Sequence, residues 1–117
     1  MTISEKNELV DNLSTHYARL NYLKIFAEEK NGSPDAIAQI ERSKTRLKTE
    51  IDMLLKDLYA NWMGDAAQLK RRVDSSNQGL NRCIADIEKD INVAQKIVEA
   101  LGYVDDVINL AGDLLKR

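Results

Sequence analysis

Apolar residues recur along this chain at steps of three and four, the spacing that turns one side of an α-helix toward a core. Over residues 3–30 the stripe reads Leu9, Leu13, His16 or Tyr17, Leu20, Leu23 and Ala27, with polar residues between them. Thr2 and Glu5 have the spacing of a capping box, in which hydroxyl and carboxylate satisfy backbone donors at a helix start. Asn31-Gly32 then tolerates a left-handed backbone, and Ser33-Pro34 supplies an N-cap followed by a first-turn proline, so one helix ends and another begins. The second stripe, Ile37, Ile40, Lys44, Leu47, Ile51, Leu54 and Leu58, holds a heptad register and predicts a helix over 34–61. Lys44 is expected to lay its stem along that seam and lift its ammonium to water.

Gly64 can close the second helix and Asp65 can cap the next. From there Ala66, Leu69, Val73, Ser76, Leu80, Ile84, Ile87, Ile91, Ala94, Val98 and Leu101 predict one long helix over 65–101. Ser75, Ser76, Asn77 and Gly79 are weak helix formers, so softness or a kink is expected among them. Gly102 is expected to break the helix. Beyond it Tyr103, Val104, Val107, Ile108, Ala111, Leu114 and Leu115 form the apolar side of a short helix over 103–116. No segment alternates apolar and polar residues in the manner of a strand. The fold class is therefore all-α, an antiparallel three-helix bundle of long helices with a short fourth C-terminal helix, in one domain over 1–117. Tyr103 to Leu115 should either fold back over the far end of the third helix or present its apolar face to another chain.

Composition narrows the function classes. The chain has one His and one Cys among 117 residues, which leaves too few ligands for the usual zinc or iron sites and gives no nucleophile a recognisable base. No catalytic residue, metal, cofactor or small-molecule substrate is expected. Seventeen basic residues face nineteen acidic ones, and the balance repeats locally: residues 34–61 hold five of each sign and 65–101 hold six of each. The basic clusters Arg42-Lys44-Arg46-Lys48 and Lys70-Arg71-Arg72 therefore do not add up to a track for phosphates, which argues against nucleic-acid binding. With no cleavable signal and no run of about twenty apolar residues, a cytoplasmic protein with no transmembrane segment is expected.

Trp62-Met63-Gly64 stands between two long amphipathic helices and is followed by Ala66-Ala67. This arrangement resembles the small Trp-x-Gly helical hairpins associated with type VII secretion, over roughly Ile37 to Val107. The resemblance implies that Trp62 and Gly64 form a hairpin turn, that the helix pair assembles with a like or related partner, and that export proceeds without a cleaved signal. The family's Tyr followed four residues later by an acidic residue is absent: Tyr103 is followed at that distance by Val107, with Asp106 one place short. The helix over 3–30 is also additional to the simple hairpin.

Three functions are compatible with these residues. The foremost is a non-catalytic interaction module that binds another protein or itself, with Trp62, Gly64, Tyr103, Val107, Ile108, Leu114 and Leu115 as candidate contact residues. The alternative is a substrate or accessory of a specialised, type VII-like secretion system. A toxin-related or membrane-active module ranks last, because the helix over 103–116 carries three acidic residues, the wrong sign for an anionic surface.

Overall fold

A computed structural model of the chain describes residues 1–56, 62 and 65–114. The described residues form four helices: α1 (Ile3–Glu29), α2 (Pro34–Lys56), α3 (Ala66–Glu88) and α4 (Val93–Leu114). Local chemistry sets most of their ends. The Thr2 hydroxyl accepts from the Glu5 N–H at 3.1 Å while the Glu5 carboxylate accepts from the Thr2 N–H at 2.9 Å, completing the capping box of α1. Ser33 Oγ accepts from the Ala36 N–H at 3.1 Å ahead of Pro34, and Asp65 accepts from the Gln68 N–H at 3.0 Å ahead of α3. The expected stretch of the second helix beyond Lys56 lies outside the described residues.

The long helix expected over 65–101 is instead two helices folded back on each other. The break falls at Lys89–Asn92, where Asp90 (φ 61°) and Asn92 (φ 45°) adopt left-handed backbone. Both residue types tolerate that region because their short polar side chains bond locally. The turn copies the one between α1 and α2. There Gly32 donates to the Ala27 carbonyl at 2.7 Å and Asn31 (φ 59°) to Glu28 at 3.2 Å; here Ile91 donates to Asp86 at 2.9 Å and Asp90 to Ile87 at 3.0 Å. Each is a Schellman motif, which satisfies two carbonyls that the helix end leaves open. Gly102 does not break the chain. α4 runs through it, because the penalty of one exposed helical glycine, about 1 kcal/mol, is smaller than the gain from burying Ile97, Ala100, Val104 and Val107 on one continuous face. The fourth helix is therefore nearly as long as α2 and α3.

Side-chain pairs fix the directions. Glu8 meets Lys70, His16 meets Asn77 and Lys30 meets Asp90, in the same order along both helices, so α1 and α3 run parallel. Asp86 meets Lys96 and Tyr103 lies against Gly79, so α3 and α4 are antiparallel. The hairpins α1–α2 and α3–α4 thus stand side by side in the same orientation. Around the bundle the order is α1, α2, α4, α3, with α2 and α3 at opposite corners and out of contact. The expected antiparallel pairing of the second and third helices, with Lys70 beside Lys56 and Arg82 beside Lys44, is replaced by contacts of α3 with α1 and α4.

All four helices feed one hydrophobic core. In α1 it is built from Leu9, Leu13, His16, Leu20, Leu23 and Ala27, as the stripe predicts. In α2 it takes Ile40, Ser43, Leu47, Ile51 and Leu54. Ser43 rather than Lys44 is the polar interruption of the seam. Lys44 sits one position round the helix, with its ammonium 5.9 Å from the centre of the Tyr17 ring and 3.9 Å from Glu41. Trp62 is buried too, and the Lys6 ammonium lies 5.4 Å from its ring centre, which places the indole at the end of the bundle where α1 begins.

Candidate interaction groove

A surface cavity of about 530 Å³ opens between α3 and α4. Its α3 wall carries Gln68, Arg71, Arg72 and Ser75, its α4 wall carries Asp106, and its floor is Val73, Ser76, Val107 and Leu110. Higher up, the two helices close tightly where Gly79 lets the Tyr103 ring approach the α3 backbone. One to two turns toward the start of α3, the small side chains of Ser75 and Ser76 do not fill the space between the helices.

Ion pairs hold several of the surface charges elsewhere. Lys24 is 2.7 Å from Glu41, Lys30 is 3.1 Å from Asp90, Lys70 is 3.3 Å from Glu8, and Lys96 is 3.2 Å from Glu99. These pairs raise the Lys24 and Lys96 pKa values and lower that of Glu41, the hydrogen bond being the main cause each time. Arg71, Arg72 and Asp106 line one cavity, yet among the described residues none of them has an ion-pair partner, and the arginines do not reach Asp106 across the gap.

The two residues most reactive by type lie elsewhere. Cys83 is buried, and burial pushes its thiol pKa up, with the Glu99 carboxylate adding to the effect. His16 is fully buried and hydrogen-bonds through Nδ1 to the Asn77 side chain. Asn77 donates in turn to the Asn12 carbonyl at 3.4 Å, so its oxygen accepts from an Nδ1–H imidazole. Burial lowers the His16 pKa and outweighs that bond. Among the described residues no three His, Cys, Asp or Glu side chains converge as a metal site would need, and no helix is long and apolar enough to cross a membrane. Guanidiniums, a carboxylate and hydroxyls line the groove.

Of the contact residues expected from sequence, only Val107 belongs to the groove, as part of its floor. Ile108 and Leu114 are core side chains, so the apolar face of α4 turns inward. Tyr103 is half-buried against Gly79, and Trp62 is buried at the end of the bundle. Gly64 and Leu115 lie outside the described residues. Arg71, Arg72, Val73, Leu110 and Asp106 were not recognised as one site, because only the turn at Lys89–Asn92 brings Arg72 and Asp106 together. An apolar surface adjoins the two hairpin turns, where Val98 is 70% exposed and Ile91 44% exposed. No family model, no curated protein and no solved structure matches the chain.

Proposed function

We propose that this chain is a non-catalytic helical interaction module that holds a partner protein in the groove between α3 and α4. The observation that carries the proposal is a cavity of about 530 Å³ that sets Arg71 and Arg72 opposite Asp106, none of them with an ion-pair partner among the described residues. Gathered around a concavity, such charges suit a partner that fills the space and meets them with groups of opposite sign. Interfaces of this kind draw affinity from the buried centre and specificity from the charged rim.

A photo-crosslinking amino acid at Ser75, which is exposed on the groove wall, tests this in native cells, with Ala18 on the exposed side of α1 as the control position. Adducts of defined mass are expected from Ser75 and not from Ala18. Adducts from both positions alike, or from neither, would remove the groove as the working surface.

A further inference from the structure

The turn between α3 and α4 is held against the preference of its own residues. Asp90 and Asn92 stand in left-handed backbone without being glycine. Asp90 is steadied by an ion pair with Lys30 at 3.1 Å, which the exposure of its carboxylate makes weak. Lys89, Asp90, Ile91 and Asn92 are all residues that a helix interior accepts. The apolar spacing of α3 also runs on: after Ile84 and Ile87 come Ile91, Ala94, Val98 and Leu101, in steps of four and three, as though no turn intervened. The turn between α1 and α2 differs, because the Pro34 ring in a straight helix would collide with the carbonyl four residues back. Of the two hairpin turns, only the one at Lys89–Asn92 can straighten. Straightening sets Ile91, which is exposed in the hairpin, in line with the buried Ile84 and Ile87.

We infer that the chain exchanges α4 with a second copy of itself. In the exchanged dimer α3, the straightened turn and α4 form one helix over 66–114, about 73 Å long at 1.5 Å per residue, and the α4 of each copy lies where the other's lay. The contacts of α4 with α2 and α3 are remade between copies, so the exchange forfeits no packing. Those contacts also fix the geometry. Gly79 and Tyr103 stand equally far from position 91 along the chain, as do Asp86 and Lys96. Remade between two antiparallel copies, these pairs put Ile91 opposite Ile91 of the second copy, on the twofold axis. The apolar surface beside the turns, with its cavity of about 330 Å³ lined by Gly32, Ala36, Val93, Ala94 and Ile97, then lies where the ends of the two bundles meet. Release of two left-handed residues and burial of Ile91 favour the dimer, lost translational freedom favours the monomer, and protein concentration decides between them. Because α4 must first leave α2 and α3, the two forms interconvert slowly and the choice is made during folding. The inference stands apart from the partner held in the groove: in the dimer the second copy supplies Asp106, and both forms present the groove to that partner.

The full chain is refolded from urea at low and at high concentration, and monomer and dimer are separated by size-exclusion chromatography. A dimer that grows with refolding concentration and dissociates slowly on dilution is expected. Two singly labelled chains, Gln78→Cys and Gly102→Cys in a Cys83→Ala background, are also refolded as a mixture. Each carries one spin label, so a distance below about 20 Å between them arises only when the α4 of one copy lies on the α3 of the other. The turn residues set the balance. D90A/N92A disfavours the left-handed turn and favours the straight helix, so its dimer constant should rise by about tenfold or more; D90G/N92G does the reverse on both counts and should stay monomeric. If the alanine pair fails to fold, Ile91→Lys decides the matter. The residue is exposed in the hairpin, so the monomer should fold normally, whereas two ammonium groups meeting on the axis should weaken the dimer by about tenfold or more. A native chain that is monomeric after refolding at every concentration would overturn the inference. So would a dimer without the short interchain distance, which would be an ordinary surface contact, or dimerisation of D90G/N92G or of Ile91→Lys as strong as that of the native chain. Adducts at Ser75 report on the groove alone and would survive each of those results.

Discussion

The phenol ring of Tyr103 on α4 fills the place that a side chain on Gly79 of α3 would need: an ideal Cβ there would lie 2.4, 2.5 and 2.7 Å from three of its ring carbons. This contact helps explain why weak helix formers gather at Ser75, Ser76, Asn77 and Gly79 without interrupting α3. Each has a tertiary task. Gly79 admits the ring, Asn77 binds His16, Ser76 is buried in the interior, and Ser75 lines the groove. Packing and hydrogen bonds offset the propensity they give up.

Gly79→Ala sets two opposing effects against each other. Alanine favours a helix over glycine by up to about 1 kcal/mol, whereas the new methyl displaces the Tyr103 ring, and overpacking of this kind costs about 1–3 kcal/mol. Net destabilisation is expected in urea unfolding. In a Tyr103→Ala background the obstruction is gone, so the same substitution should become stabilising by up to about 1 kcal/mol. A double-mutant cycle that shows no change of sign would mean that the ring does not sit on Gly79.

Gly102→Ala should act in the opposite direction from Gly79→Ala. A Cβ at Gly102 meets nothing within 4 Å, and the residue lies within α4. Removing the backbone freedom of glycine there should stabilise the fold by about 0.5–1 kcal/mol and raise the melting temperature by about 2–5 °C. Destabilisation would show that the chain departs from helix at Gly102, as its sequence alone suggests.

Where a few adjacent residues decide the structure, the sequence was readable: the Thr2–Glu5 box, the Ser33-Pro34 start, the Asp65 cap and the 4–3 spacing of α1 all appear as expected. The turn at Lys89–Asn92 was not, for two physical reasons. It contains neither Gly nor Pro, and Ile84, Ile87, Ile91, Ala94 and Val98 keep a helical spacing straight across it. The true register of α4, Ile97, Ala100, Val104, Val107, Ala111 and Leu114, ignores Gly102 and leaves Val98 and Ile91 exposed. Once the turn was missed the groove was out of reach, since it exists only where α3 and α4 run back along each other. Placing Lys44 rather than Ser43 in the seam was a smaller misstep, one residue and about 100° of helix rotation.

His16 should make stability depend on pH. Burial holds its pKa below the ordinary 6.5, so as pH falls the unfolded chain binds a proton before the folded one does. The His16 contribution is therefore complete above about pH 6.5 and is lost progressively below it, by at most about 1.4 kcal/mol per pH unit. Glu5 and Glu41 sit below the ordinary 4.5, held by a Thr2 backbone hydrogen bond and by Lys24, so their losses come at lower pH. Urea midpoints should decline between pH 6.5 and 5.5 in the native protein. His16→Leu should flatten that decline whatever its effect on absolute stability; an unchanged slope would mean that the imidazole is not buried in its neutral form.

The turn between α3 and α4 is the feature on which the groove depends, and a distance measurement decides it. Spin labels at Gln78→Cys and Gly102→Cys, in a Cys83→Ala background, stand on exposed positions of the two helices. In the folded-back arrangement these positions lie side by side, as the Gly79–Tyr103 contact requires. Helices packed as neighbours have axes about 8–10 Å apart, so with the label arms the distance should centre below about 20 Å. A single helix through residues 89–92 would instead separate the two sites by about 36 Å at 1.5 Å per residue. A narrow short-distance population establishes the turn and, with it, the wall that carries Asp106. A dominant population near the longer value would leave Arg71 and Arg72 without an opposite wall, and the interaction groove would have to be abandoned.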